Sequence, residues 1–122
     1  MTVKIALAFV SLLALAAPLA ASAFVTPRHT VDCTLAEAGP PTLACHRPRN
    51  GFLVWMRERG GVHASVRPPL RGFWKRGSFV LRFGETFRVA GFRCASRRTG
   101  LTCTNRDGRG WWLGREKGYR RF

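Results

Sequence analysis

Apolar and polar residues alternate with a period of two in several short segments, the pattern of half-buried β-strands. Beyond residue 23, no segment has the sustained 3.6-residue apolar period that predicts an amphipathic helix. Gly and Pro are frequent there, and they leave little room for long helices. The predicted strands cover residues 52–56, 62–66, 79–83, 87–89, 92–94, 101–104 and 111–113.

Turn residues separate these segments. Arg59-Gly60-Gly61 and Asn105-Arg106-Asp107-Gly108 are suited to tight hairpins, since Asn, Asp and Gly tolerate positive φ. The pattern therefore predicts an all-β fold, a small antiparallel β-barrel or sandwich of short strands. No internal repeat is evident. Residues 114–122 fit either one helical turn, with Tyr119 and Phe122 on one face, or an extended segment.

The first 23 residues have the three parts of a secretory signal peptide. Lys4 supplies the positive charge, Ile5 to Ala17 form an apolar stretch, and Ala21-Ser22-Ala23 is a small-x-small cleavage site. The predicted domains are a signal peptide at 1–23 and a secreted β-domain at 24–122. Cleavage before Phe24 would release the product outside the membrane, as an extracellular or periplasmic protein. An uncleaved anchor is the alternative, although the apolar stretch is shorter than a spanning helix needs.

The four cysteines, Cys33, Cys45, Cys94 and Cys103, all follow the leader. An even number in a short exported chain indicates disulfides. Three pairings are possible, and the spacing favours the local one, Cys33–Cys45 with Cys94–Cys103. Each bridge would close a loop of about ten residues and contribute roughly 2.5–3 kcal/mol in the chain-entropy model. Zinc is the competing interpretation, but the short C-x₂₋₄-C pairs that it prefers are absent.

The second cysteine pair fits a hairpin. If Cys94 lies opposite Cys103 in an antiparallel pair, then Phe92 and Leu101 fall on the same face as the cysteines. Arg93, with Thr102 and Thr104, then falls on the other face. One register satisfies both the disulfide and the core, which supports this hairpin.

Charge is the largest functional signal. The 122 residues include 21 Lys and Arg but 6 Asp and Glu, a formal net charge of +15. Removal of residues 1–23, which hold one Lys and no acid, would leave +14 on 99 residues. Such a domain attracts polyanions, and the candidates are nucleic acid, anionic wall polymers and acidic membrane surfaces. A genome whose composition favours Arg codons is the alternative explanation.

Two clusters combine cations with aromatic residues, as in stacking platforms for single strands or sugars. Trp111 is expected in the core. For Trp112 and Trp74, the sequence fits both packing in the core and contact with a ligand. One cluster is Arg67, Arg71, Lys75 and Arg76 around Phe73 and Trp74. The other, the candidate anion-binding set, is Arg106, Arg109, Arg115, Lys117, Arg120 and Arg121 with Trp112, beside Trp111 and Tyr119.

Catalytic signals are weak. The sequence has no Gly-x-Ser-x-Gly elbow, and no cofactor, metal site or catalytic residue is predicted. The leading hypothesis is an exported non-enzymatic domain that binds an anionic polymer or an envelope surface. The first alternative is a protein-binding module such as an inhibitor of a secreted hydrolase. The second is a small basic ribonuclease-like enzyme that uses Glu58, Glu85 or Glu116 with His and Arg. The oligomeric state is not indicated.

The C-terminal half resembles a known family. The residues that carry the resemblance are Phe92-Arg93-Cys94, Gly100-Leu101-Thr102-Cys103-Thr104-Asn105, Gly110-Trp111-Trp112-Leu113 and Tyr119-Arg120-Arg121-Phe122. They are similar to small secreted bacterial proteins, many of them actinobacterial, that form domain-of-unknown-function family 6636. Phe24-Val25-Thr26-Pro27 and Leu81-Arg82-Phe83-Gly84 extend the similarity, whereas Arg28-His29-Thr30 departs from the family's Ser-Gly-Asn. The resemblance implies the compartment and the fold and transfers no catalytic residue.

Overall fold

The computed structural model describes residues 23–66 and 79–122, which form two five-stranded antiparallel sheets. Both are meanders, in which each strand pairs with the next one along the chain. The N-terminal sheet contains β1 (Ala23–Val25), β2 (Asp32–Ala36), β3 (Thr42–His46), β4 (Phe52–Arg57) and β5 (His63–Val66). The C-terminal sheet contains β6 (Thr86–Val89), β7 (Phe92–Arg97), β8 (Gly100–Thr104), β9 (Gly110–Gly114) and β10 (Tyr119–Arg121). The helical element in the described ranges is a 3₁₀ turn at Pro27–His29.

The two sheets pack face to face around one core. Inward-facing residues alternate along the strands, so Cys33 and Leu35 are buried on β2 as Trp111 and Leu113 are on β9. One cluster of buried residues takes members from both sheets, which makes the fold a sandwich rather than a closed barrel. The all-β antiparallel prediction is therefore confirmed. No helix in residues 23–66 or 79–122 is long and apolar enough to cross a membrane.

Both disulfides join neighbouring strands at directly opposed positions. Cys33 lies opposite Cys45 on β2 and β3, and Cys94 lies opposite Cys103 on β7 and β8, with Cα atoms 4.0 Å apart in each pair. The local pairing is confirmed. Leu101 shares the buried face of the second bridge, as the alternation predicts.

Two details differ from the sequence predictions, and one open alternative is decided. Val62 is buried, but β5 begins at His63 and Val66 is 72% exposed, so the alternation in 62–66 does not mark a buried face. Residues 79–83 form no strand. Instead Val80 makes a single parallel bridge to Val25 on β1, an edge strand of the N-terminal sheet. Of the two alternatives for residues 114–122, the structure has the extended one, since residues 119–121 pair with β9.

The two sheets repeat the same framework, although no repeat is evident in the sequence. Phe24 on the first strand of one sheet lies opposite Cys33, and Phe87 on the first strand of the other lies opposite Cys94. The second cysteine of each pair faces the fourth strand, at Val54 and at Trp111. A half-buried tryptophan follows each of these residues on the outer face of its sheet, at positions 55 and 112. The domain is thus two copies of one five-stranded unit.

Candidate anion-binding site

A buried arginine ties the N-terminal sheet to the C-terminal sheet. Arg47 lies two residues after Cys45 and is 5% exposed. Its Nη2 donates to the carbonyl oxygen of Gly114 at 2.9 Å and to that of Gly118, and its guanidinium lies 5.6 Å from the centre of the Phe52 ring. Burial lowers the pKa of Arg47, but an arginine stays protonated in proteins. We call the contact between loop 47–51 and the β9–β10 turn the first junction.

An asparagine makes the corresponding contact from the C-terminal sheet to the N-terminal sheet. Asn105 lies two residues after Cys103, as Arg47 does after Cys45. Its Nδ2 donates to the carbonyl oxygens of Arg57 at 3.0 Å and Gly60 at 2.9 Å. We call this contact, between loop 105–109 and the β4–β5 turn, the second junction. In each sheet, a residue in the loop after the third strand is therefore hydrogen-bonded to the turn after the fourth strand of the other sheet.

Two ion pairs close the second junction. Arg106 Nε donates to Glu58 Oε2 at 3.0 Å, and Arg59 Nη1 donates to Asp107 Oδ1 at 2.9 Å. The backbone N–H of Gly60 also donates to Asp107, at 2.8 Å. This hydrogen bond, followed by those from Arg59, holds the pKa of Asp107 below its usual value. Four charged side chains thus neutralise one another.

The first junction is open and basic. Arg47 is followed by Pro48 where Asn105 is followed by Arg106. Likewise, Gly114, which accepts from Arg47, is followed by Arg115, whereas Arg57, which accepts from Asn105, is followed by Glu58. The ion pair of the second junction is therefore absent here, and a groove of about 480 Å³ lies in its place. We call it the arginine groove. The described residues that line it are Arg28, His29, Thr30, Arg47, Pro48, Arg49, Arg115 and Glu116.

Two of the arginines that line the arginine groove have a buried donor without an acceptor. The Nε atoms of Arg47 and Arg115 are buried and have no hydrogen-bond partner in the described part of the chain. In the second junction, by contrast, Arg106 Nε has the Glu58 carboxylate. Four arginines and one glutamate give the lining a formal charge of +3 with His29 neutral. Buried N–H groups of a guanidinium favour an oxyanion as their acceptor.

The rim of the groove holds backbone strain. Arg28 and His29 adopt φ values of 62° and 58°, in the left-handed region. This region costs a residue with a Cβ atom about 1 kcal/mol or more. The ring of His29 is anchored by Asp32, whose Oδ1 lies 2.7 Å from Nε2. This strained turn places Arg28 at the groove, and backbone strain of this kind is concentrated at functional sites.

Comparison with known proteins places the chain in a family. The profile of one family matches residues 57–120, just over half of the chain and nearly all of the C-terminal sheet. The chain belongs to DUF6636, a family of unknown function. No curated protein and no solved structure matches it. The resemblance of the C-terminal half is thereby confirmed.

The part of the chain that matches DUF6636 contains the ion pairs of the second junction but only part of the first junction. Residues 57–120 contain every side chain of the second junction, namely Glu58 and Arg59 with Arg106 and Asp107, together with both ties' partners on the β4–β5 and β9–β10 turns. Of the groove, they contain Arg115 and Glu116. The other cations of the arginine groove come from the residues before 57.

The structure distributes the candidate anion-binding set over several places in this DUF6636 chain. Arg115 lines the arginine groove, and Arg106 is paired with Glu58. Arg109 and Arg121 line a smaller cavity of about 350 Å³ with Phe122. The Arg120 guanidinium lies 5.1 Å from the ring centre of Trp112 on the outer face of the sheet, and Lys117 is exposed in the β9–β10 turn.

Sequence reasoning missed three arginines of the groove, Arg28, Arg47 and Arg49. They come from two loops of the N-terminal half, where no local cluster of cations and aromatics draws attention to them. The matched spacing of Arg47 and Asn105 after their cysteines is the signal that could have found the first junction. The cluster at Arg67 to Arg76 lies outside the described residues.

The candidate general bases have different environments. Glu58 is in the second junction, and Glu85 accepts a hydrogen bond from the backbone N–H of Arg82 at 2.7 Å. Glu116 lines the arginine groove. Within 23–66 and 79–122, no group of three or more His, Cys, Asp or Glu side chains could hold a metal ion.

Proposed function

We propose that the protein is exported and that its β-domain binds a phosphate-rich anionic polymer in the arginine groove. The observation that carries this proposal is that two arginines lining a groove of charge +3, Arg47 and Arg115, each have a buried Nε–H group without an acceptor among the described residues. Because the same position in the second junction is filled by a carboxylate, an anion is the chemical complement of the groove.

Phosphate groups suit these side chains best. A guanidinium presents its N–H donors in a planar fork that matches two oxygens of one phosphate. Arg28 and Arg49 line the groove and are exposed, which suits a chain passing over it more than an enclosed small molecule. The net charge of +15 would raise the rate of encounter with any polyanion.

The basic residues outside the groove extend the proposal to a polymer. Arg109 and Arg121 line a second cavity, and Arg120 stacks on Trp112. A long chain of phosphates held in the groove would reach such sites in turn, with little preference for the groups that the phosphates link. These contacts would add to affinity, whereas the groove would supply the anchoring site.

Export is supported by the leader pattern of residues 1–23 and by the two disulfides, which persist in oxidising compartments. The product would begin at Phe24, whose ring is 1% exposed and contacts Phe87 at 4.8 Å between ring centres. Cleavage there would leave the first aromatic residue in the core.

The test is a salt titration of binding to polyphosphate, to a single-stranded oligonucleotide and to a glycerol phosphate polymer. The variant Arg28→Ser/Arg49→Ser/Arg115→Ser removes three groove cations. Its matched control, Arg88→Ser/Arg93→Ser/Arg98→Ser, removes the same charge from exposed positions of β6, β7 and the following turn. We expect the groove variant to bind at least tenfold more weakly, with a salt slope lower by about 2–3.

Two results would contradict the proposal. Equal losses in the groove and control variants would mean that only net charge matters. Binding that is tight but independent of salt would favour the protein-binding alternative, an inhibitor with an aromatic hot spot. The three polymers separate nucleic acid from other phosphate chains.

A second candidate function is cleavage of RNA in the same groove. The observation that favours it is His29, which lines the groove beside four arginines and is oriented by Asp32. A histidine held by a carboxylate can act as a general base toward a ribose 2′-OH. Digestion of RNA by the parent protein but not by His29→Ala would support this function, and intact RNA after long incubation would exclude it.

A further inference from the structure

The two junctions are the same structural contact with different charges. In each, a loop after the third strand of one sheet meets the turn after the fourth strand of the other. The second junction has Glu58, Arg59, Arg106 and Asp107, and the matching positions of the first hold, in the same order, Arg115, Glu116, Pro48 and Arg49. The loop of the first junction therefore has no cation at the position that Arg106 occupies in the second.

The carboxylates of the second junction connect the two sheets. The Glu58 carboxylate lies between β4 and loop 105–109, so its bond to Arg106 connects the two sheets. The Asp107 carboxylate makes the same kind of connection in the other direction, through Arg59 and the N–H of Gly60. The first junction retains the Arg47 tie but has no ion pair among the described residues that adds to it.

We infer that a bound phosphate group substitutes in the first junction for the carboxylate of Glu58. It would accept from Arg115 on the C-terminal sheet and from Arg28 or Arg49 on the N-terminal half, and so join the two sheets. The ligand is then part of the cross-sheet contact, and its binding stabilises the folded domain. This inference rests on the proposed function, since it assumes that the groove takes a phosphate.

Phosphate fits this bridging role better than a carboxylate does. In the second junction each carboxylate is paired with one guanidinium. Four arginines, by contrast, line the single cavity of the arginine groove. The oxygens of a phosphate point in tetrahedral directions, so one group can accept from forks on both walls. The charge of +3 also exceeds what a single carboxylate would neutralise.

The decisive variant copies the ion pair of one junction into the other. In Arg115→Glu/Pro48→Arg, the carboxylate and the guanidinium stand at the positions of Glu58 and Arg106. The control Arg115→Gln changes the net charge by the same amount but supplies no internal partner. Thermal unfolding of the oxidised protein is followed with and without sodium tripolyphosphate, and calorimetry measures binding of the same probe.

We expect tripolyphosphate at one hundred times its Kd to raise the unfolding midpoint of the parent by about 10 °C. The double variant should lose most of this shift, yet its midpoint without ligand should exceed that of Arg115→Gln. Should the double variant fold poorly, Arg115→Gln alone should still lose most of the shift. A full shift in both variants would overturn the inference, because the ligand would then be bound elsewhere. Absence of tripolyphosphate binding to the parent would instead refute the proposed function.

Discussion

Replacement of Asn105 by Ala is expected to destabilise the domain by about 2–4 kcal/mol. The side chain makes four hydrogen bonds. Its Nδ2 donates to the carbonyl oxygens of Arg57 and Gly60, and its Oδ1 accepts from the backbone N–H groups of Asp107 at 3.0 Å and Arg109 at 3.1 Å. At about 1 kcal/mol for each neutral bond, the gross loss is about 4 kcal/mol. Water can reach some of the freed groups in the turns, so the lower part of the range is included.

Urea denaturation of the oxidised protein measures this loss. With a slope of about 1–1.5 kcal/mol per M, as suits a small domain, the midpoint should fall by about 2 M. Asn50→Ala is the matched control, because Asn50 is exposed and its Oδ1 accepts one hydrogen bond, from the backbone N–H of Phe52. It should cost about 1 kcal/mol or less. If Asn105→Ala costs no more than this control, the cross-sheet tie contributes nothing to stability and the reasoning is refuted.

Three further predictions concern export, the buried arginine and acid. Mass spectrometry of the exported protein should give Phe24 as its first residue, and a secreted form that retains Met1 would refute the leader. Arg47→Met should lower the free energy of unfolding by about 3 kcal/mol, since it removes two charge-assisted bonds to carbonyls, and a urea midpoint equal to that of the parent would contradict this role. Burial lowers the pKa of His46 in the folded state against the opposing effect of Asp32, so the unfolded chain binds its proton first. The contribution of His46 to the free energy of unfolding is therefore fully present above pH 6.5, and it is lost as the pH falls from 6.5 through the folded-state pKa. His46→Gln should flatten the dependence of the free energy of unfolding on pH in that range.

The sequence was sufficient for the hairpin of Cys94 and Cys103 because two independent constraints agreed there. The disulfide required opposed positions, and the alternation of Phe92 and Leu101 placed the apolar face on the same side. It was insufficient for residues 79–83, whose alternation is that of a strand. There the backbone of Val25 forms bonds to Phe79 and Leu81, a contact between the two halves that no local pattern reveals.

The candidate site was only partly predictable for a related reason. Local density of cations and aromatics identified the C-terminal residues, and Arg115 among them lines the groove. Its partners Arg28, Arg47 and Arg49 are separated from it by more than sixty residues of chain. They converge because Arg47 reaches across to the β9–β10 turn, and that contact depends on the packing of one sheet on the other.

The distribution of acids bears on whether the basic character is functional or compositional. Only six Asp and Glu residues are present, and four of them have partners: Asp32 with His29, Glu58 with Arg106, Glu85 with the backbone of Arg82, and Asp107 with Arg59. A bias toward Arg codons would add cations to both junctions alike. Instead two arginines of the second junction are paired with two carboxylates, while the matched positions of the first carry Arg115, Glu116, Pro48 and Arg49 and form no ion pair among the described residues. Within one molecule and one framework, charged side chains are thus paired at one junction and not at the other. The first junction also has the larger of the two cavities, and two of the arginines that line it have buried Nε–H groups without acceptors among the described residues, a combination that an external anion would complete.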